Sequence, residues 1–247
     1  MWIDTHVHLL STKKSRPDWE EIDFTFQVAK KKGIDIVCLT EHRDSQGFDE
    51  LYSEIFGEKK LGGQTLEGGV IVLSSGLMIS SGAEISLRGG GDMGVHASVK
   101  AVMDMRSPSM TYTATELLDE LERKNNSYVA VAHHLLGDGK WWCDFDNVIR
   151  KVDAIEVSGK HPHWVERYKG LAQKYNKACV SGSDAHTWIQ LGVGKTLVPE
   201  RFLEGESGES FIHGFKSVVR KAATVPCIHE SADEVLRLSG YYRSRHL

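Results

Sequence analysis

The chain opens MWIDTHVHLL, with His6 and His8 one residue apart after a short apolar start. Side chains at i and i+2 of a strand project to one face. Two imidazoles on one face can hold a metal ion. Similar groups recur along the chain. His42 follows the apolar run IDIVCLTE, Glu84 lies in SGAEIS and His96 in GVHAS. His133 and His134 follow SYVAVA, and Asp184 and His186 follow CVSGS. The chain has 12 histidines, and random scatter would not place so many at the same end of successive apolar runs. Histidines with oxygen ligands and no thiolates suit zinc, manganese or iron. The chemistry open to such a set is activation of water by two or more divalent metals.

Such side chains must be brought together by regular elements. Apolar, β-rich runs alternate with helix-like segments from end to end. Met1 to Ile3 reads as a strand and Pro17 to Lys32 as a helix, with Asp18, Glu20 and Glu21 at its start and Lys30 to Lys32 at its end. Ile34 to Thr40 is a buried strand, and Asp44 to Gly69 a polar insertion with a short helix near Phe48 to Phe56. GVIVLSSGLMISSGAEIS reads equally as strand throughout or as a helix leading into a strand. Met93 to Val102 reads as a strand, and TATELLDELERKN as an amphipathic helix capped by Thr113 or Thr115. SYVAVA, DAIEVS and KACVSGS are strands, each followed by further helix or strand signals. Glu209 to Ala222 is a last core helix, after a polar, Gly-rich surface loop, and the tail from Ser231 is helical. Strands separated by helices favour parallel pairing. In a parallel barrel every carboxyl end opens on one face, where the reactive residues would converge.

At 247 residues, the length permits one α/β barrel domain, with a core over about residues 1–222 and a C-terminal extension over about 223–247. A net charge of −4 argues against a broad nucleic-acid surface. The cysteines Cys38, Cys143, Cys179 and Cys227 are far apart, which argues against a zinc-thiolate site or a disulfide scaffold. No signal peptide or membrane span is visible, so a cytoplasmic location is expected. Two phosphate-binding patterns fail. GGGDMG (Gly89 to Gly94) is followed by strand-like GVHAS where a dinucleotide fold needs a helix, and GVGKT would need its first P-loop glycine at Ile189.

DTHVH, TEH, GAE, GVHAS, AHH and SGSDAH, in this order, resemble the polymerase-and-histidinol-phosphatase (PHP) superfamily of metal-dependent phosphoesterases. The resemblance covers roughly Met1 to Val198 and, weakly, the helix beyond. It implies an α/β fold, a distorted (β/α)7 TIM-like barrel, with two or three divalent metals at the carboxyl face. It implies that His6 and His8 hold one metal with Glu84 and Asp184, and that Glu84 bridges to a second held by His96 and His133. His42 and His186 would serve a third. Family members place another ligand five or six residues after the second histidine, where this chain has Lys13 and Lys14. Three outcomes stay open: a nearby carboxylate such as Asp18 substitutes, the third site is weak or empty, or a lysine presents its ammonium to phosphate.

The reaction this implies is hydrolysis of a phosphate ester, a monoester before a diester, by a metal-activated water. Glu84, Asp184, His186 and Arg43 are the expected catalytic residues. Arg43, Arg88, His134 and Lys160 are candidates for substrate contact, with His134 and His186 also candidate acids. Trp141 and Trp142 either stack on a base or pack on a helix. A small phosphorylated substrate is the expected partner, with no membrane and no nucleic acid beyond a short nucleotide. Two alternatives stand beside this reading: an amidohydrolase-type metal hydrolase, and an inactive module that binds metal or phospho-ligands.

Overall fold

The computed structural model describes residues 1–66, 70–124, 127–200 and 211–246. In chain order these form β1 (Trp2–Val7), α1 (Trp19–Lys31), β2 (Ile36–Leu39), α2 (Phe48–Tyr52) and a π-helical turn (Ser53–Gly57). A run of short strands follows: β3 (Gln64–Leu66), β4 (Val70–Val72), β5 (Met78–Ser80), β6 (Gly82–Ser86) and β7 (Asp92–Ala97). Then come α3 (Val99–Met103), α4 (Ala114–Arg123), β8 (Tyr128–His133), α5 (Phe145–Lys151), β9 (Ala154–Glu156), α6 (Val165–Tyr175) and β10 (Ala178–Val180). The chain closes with β11 (Gly194–Leu197), α7 (Phe211–Arg220), β12 (Val225–Ile228) and α8 (Ala232–His246).

Local chemistry explains the helix ends. Asp18 caps α1 by accepting from the Glu20 and Glu21 amides, so Pro17 stands before the helix instead of in its first turn. Gly33 ends it with a φ of 70°. Of the two threonines, Thr113 is the cap of α4, in a reciprocal box with Glu116. Part of the polar loop and the start of the helix expected from Glu209 fall in 201–210, outside the described residues, as does the end of the insertion at 67–69.

The strands form two sheets, ordered β12-β11-β1-β2-β5-β4-β3 and β10-β9-β8-β7-β6. Among the described residues, isolated bridges lie between them at Val7 to Ala185 and His42 to Glu84. The fold is therefore mixed α/β, and the expected closed, all-parallel barrel is not found among the described residues. β1–β2, β2–β5, β8–β9 and β9–β10 are parallel. The described part of the ambiguous stretch around Glu84 holds no helix: it forms β4, β5 and β6, with a turn between β4 and β5, and β4 is antiparallel to β3 and β5. β7 runs antiparallel to both β6 and β8. The reason lies in the connection: Gly89, Gly90 and Gly91 all have positive φ, and so short a link makes a hairpin, not a crossover.

The inward side chains set the floor of the site. Val129 and Val131 of β8, Ala154 of β9, and Ala178 and Val180 of β10 pack with Ile3, Ile36 and Cys38 against Phe211, Phe215 and Val219 of α7. A larger cluster fills the space under the other helices. Along the same inward faces, beyond this apolar layer, stand His133 and Glu156. On β1 the register shifts between Asp4 and Val7. That irregularity lets Ile3 join the inner cluster while His6, three residues on, also faces in.

Candidate metal centre

His6 and His8 point their Nε2 atoms at each other, 3.0 Å apart. Glu84, in the middle of β6, lies among them. Its Oε1 is 3.4 Å from His6 Nε2, 2.8 Å from His133 Nδ1 and 3.1 Å from His134 Nε2. Its Oε2 is 3.0 Å from His42 Nδ1, yet that nitrogen makes no hydrogen bond and is buried. Asp184 Oδ1 is 3.4 Å from His8 Nε2, 3.6 Å from His6 Nε2 and 3.5 Å from His186 Nδ1. Its Oδ2 is 2.6 Å from Lys160 Nζ and 3.7 Å from His134 Nε2.

These atoms fall into three overlapping groups: His6, Glu84, His133 and His134; His6, His8 and Asp184; and His8, His42 and His186. Nitrogen lone pairs and carboxylate oxygens aimed at common points, with few N–H groups to pair them, fit divalent cations. The orphaned His42 Nδ1 supports the same reading.

The backbone makes room for this crowding. Gly94 pairs with Glu84 across the hairpin, and a Cβ there would lie 2.0 Å from His133 Nε2. A Cβ on Gly182 would lie 2.4 Å from that of His6. His134 and Asp184 have φ values of 27° and 50°, conformations that cost a non-glycine residue roughly 1–3 kcal/mol. Both are held there at the point where the groups converge.

Two buried carboxylates stand behind the imidazoles. Glu156 accepts from His6 Nδ1 at 2.7 Å and from the His134 amide at 2.9 Å, and so ties two strands' histidines together. Glu41 lies 3.4 Å from His8 Nδ1 and accepts from the amides of Leu9, Leu10 and His42. Such partners fix the tautomer and orientation of metal-binding histidines. Burial pushes both carboxyls up, but the neighbouring imidazoles and amides prevail and bring each down to about 2. Glu84 and Asp184 are likewise held well below the usual range against burial, by His6 and the imidazoles around them, with Lys160 helping at Asp184. Burial pushes His8 and His134 down, yet bonds to Asp184, Glu41 and Glu84 raise them to about 10 and about 9.

The structure brings together His6, His8, His42, Glu84, His133, Asp184 and His186, all named from sequence. It adds His134 to the Glu84 group, where sequence reading assigned it to substrate. It does not bring in His96. Because β7 is antiparallel, His96 pairs with Gly82 and Val129 at the starts of β6 and β8, the end away from His133. There its ring meets the edge of Phe215, and neither nitrogen has a partner. Asp92, at the other end of β7, pairs with His133 instead.

Arg43 is also displaced from its expected role. Its buried guanidinium donates to Met103 O and Met105 O, pairs with Asp49 and covers Phe48. The backbone explains this: the Arg43 amide bonds Glu84 O, and the side chain leads to the α3 turn. Arg88 pairs with Glu116 on the surface. Lys13 lies 2.9 Å from the Asp44 carboxylate, and Lys14 is exposed. Trp141 stacks on Phe145, and Trp142 is buried.

An open cavity of about 330 Å³ lies over the groups. Glu84, His134, Asp184 and His186 are in its lining, with Lys140, Lys160 and His161. A larger hollow, about 540 Å³, lies outside α1 between Phe24, Trp188 and Tyr242, and holds none of these donors. Sequence reading missed Glu41, Glu156, Asp92 and Lys140. Glu156 carried a usable signal, since it ends an apolar strand in DAIEVS as the other donors do.

A family model described as PHP-associated matches residues 162–216. PsfC from Pseudomonas syringae PB-5123 shares 31% identity over 100% of this chain and 98% of its own, with a TM-score of 0.88. The chain belongs to the PHP superfamily of metal-dependent phosphoesterases. Among solved structures, that of the lesion-specific endonuclease PfuEndoQ from Pyrococcus furiosus has a similar fold at 14% identity. Its TM-score is 0.62, over 90% of this chain and 56% of that one. No curated protein matches the sequence. Divalent metals are the occupants that the donor groups fit.

Proposed function

We propose that this protein hydrolyses a small phosphate monoester with two or three divalent metals, zinc, manganese or iron. The observation that carries the reading is three donor groups that overlap at His6 and His8, one with Glu84 and one with Asp184, under an open cavity that also exposes Lys160. His6, His8, Glu84 and Asp184 would hold one cation, and Glu84 with His133 and His134 a second. The three histidines His8, His42 and His186 would hold a third. Bound there, the cations supply Lewis acidity to water and to phosphoryl oxygens. Glu84 and Asp184 stay ionised, as ligands must. Lys160, steadied on Asp184, presents its remaining N–H groups to a phosphoryl oxygen. His161 is the imidazole of the cavity wall outside the donor groups. Its Nδ1 lies 3.3 Å from the Tyr168 hydroxyl and its ring stacks on Trp164. Burial and the neighbouring His134 hold it below the usual imidazole value, so it would meet the leaving oxygen as a neutral N–H donor. The ester oxygen of the leaving alcohol would take a proton from solvent as its bond to phosphorus breaks.

The test is elemental analysis of protein purified without chelator, paired with phosphate release from an aryl phosphate. Two or three metals per chain are expected, with activity lost in His8→Ala and Asp184→Ala. Metal-loaded protein inert toward every phosphoester, or active on C–N bonds instead, would overturn the reading.

A further inference from the structure

The cavity carries a second ammonium that this reaction does not use. Lys140 lies in the loop after β8, and its Nζ is 2.5 Å from Asp92 Oδ2. Asp92 is buried, opposite His133 in the sheet, and also accepts from Ser86 Oγ at 2.8 Å. That carboxylate fixes the ammonium near the donor groups. Nearly half of the Lys140 side chain remains exposed, at 41%. An ammonium has three donors, and one is spent on Asp92.

We propose that Lys140 makes the enzyme selective for phosphate esters whose alcohol portion carries a second anionic group. The inference rests on the phosphatase reading above and deepens it. Two ammoniums reach one cavity from different carboxylates, Lys160 from Asp184 and Lys140 from Asp92. The reacting phosphoryl group needs only the one beside the metal ligands. The other then meets what the phosphoryl group is attached to. The remaining wall agrees with this. It consists of polar side chains and Gly137, with no aliphatic side chain and no indole. An apolar leaving group would find no aliphatic side chain to bury against, and the flat faces on offer are imidazoles, of which His161 is already stacked on Trp164. The contact on offer to the leaving group is a charged hydrogen bond, stronger than a neutral one. Asp92 also explains why the lysine is anchored and not loose: a buried carboxylate needs a partner, and a held ammonium loses less freedom on binding.

Matched pairs of substrates test this on the metal-loaded enzyme. One pair is 3-phosphoglycerate against glycerol 3-phosphate, and the other fructose 1,6-bisphosphate against fructose 6-phosphate. The first asks for a carboxylate and the second for a second phosphoryl group. We expect the charged member of at least one pair to be favoured in kcat/KM by about tenfold, the scale of one charge-assisted hydrogen bond. Lys140→Met should abolish that ratio, mainly through KM, and Lys140→Arg should keep it. Lys140→Gln retains a donor to Asp92 and tests the same loss should Lys140→Met not fold. A lysine that merely neutralised Asp92 would lower both members of a pair equally. Equal rates within both pairs, or an unchanged ratio in the variants, would overturn the inference while aryl phosphate hydrolysis kept the phosphatase reading intact. Failure of the wild-type enzyme on every ester, aryl phosphate included, would remove both.

Discussion

Glu156 and His96 show how one side chain's surroundings decide its use. Glu156 accepts two N–H donors, one from a His6 ring and one from the His134 backbone. A glutamine can accept from only one of them and turns its NH2 on the other. Glu156→Gln should therefore weaken metal binding by about 10- to 100-fold, the range for lost outer partners of metal ligands. Titration with a chromophoric chelator would show it, and unchanged affinity would deny Glu156 its positioning role. His96 has the opposite surroundings: burial first, then the nearby His133 and His6, push it down to about 3. It is buried and neutral, with two unpaired nitrogens. Removing an unsatisfied polar group for an apolar one of similar shape is close to neutral or stabilising. His96→Leu is expected to keep metal stoichiometry and to leave the thermal midpoint level or higher. His134→Ala should lose a metal. Loss of metal in His96→Leu would return His96 to the ligand set.

At the scale of elements, the strand direction of β7 and the docking of α8 do most to shape the site. A parallel β7 would have brought His96 to the mouth. The glycine-built hairpin brings Asp92 there and sends His96 toward α7. α8 braces the segment that carries Asp184 and His186. Ser239 Oγ is 2.9 Å from Thr187 Oγ1, and the Tyr242 ring meets Trp188, which in turn packs edge-on against Phe24 of α1. On the inner side, the Lys32 ammonium donates to Ile189 O and Leu191 O, and Gln190 accepts from the His186 amide. The double variant Ser239→Ala and Tyr242→Ala removes the outer brace and touches no donor. It should lower metal affinity about tenfold while the circular dichroism spectrum stays that of the folded chain. An unchanged affinity would make α8 a bystander to the site.

Across the whole molecule, the donor cluster links stability to pH. In the metal-free chain, His8 and His134 are raised to about 10 and about 9. A raised histidine stabilises the fold fully below its unfolded value, near 6.5, and that gain is lost as pH rises through the folded value. Glu84 and Asp184 are depressed, so their contribution is present above about pH 4 and lost as pH falls. The metal-free protein should therefore be most stable near neutral pH and lose thermal midpoint between about pH 7 and 10. Metal binding needs deprotonated histidines and competes with those protons. The loaded protein should hold its midpoint through the same alkaline range, and its metal affinity should fall as pH drops. Thermal melts from pH 5 to 10, with and without chelator, would check this. Parallel curves in the two conditions would separate the histidines' protons from the metal.

The residue types of the centre were legible in the sequence because each is a local fact. Strand-end histidines, the Glu84 and Asp184 carboxylates, the Asp18 cap and the Thr113–Glu116 box all depend on neighbours a few residues away. PHP membership followed from the same ordered motifs. What only the tertiary structure decided is long-range. Whether β7 runs up or down depends on partners in two other strands, up to 41 residues distant, and that choice exchanged His96 for Asp92 at the mouth. Arg43 adjoins a donor in sequence, yet its charge is spent on carbonyls about 60 residues away, at Met103 and Met105. Glu156 shows only its place at a strand end, and Lys140 looks ordinary in its own segment. They gain meaning only because folding sets one behind His6 and the other beside Asp92, since a carboxylate or ammonium acts through the charges it faces across space.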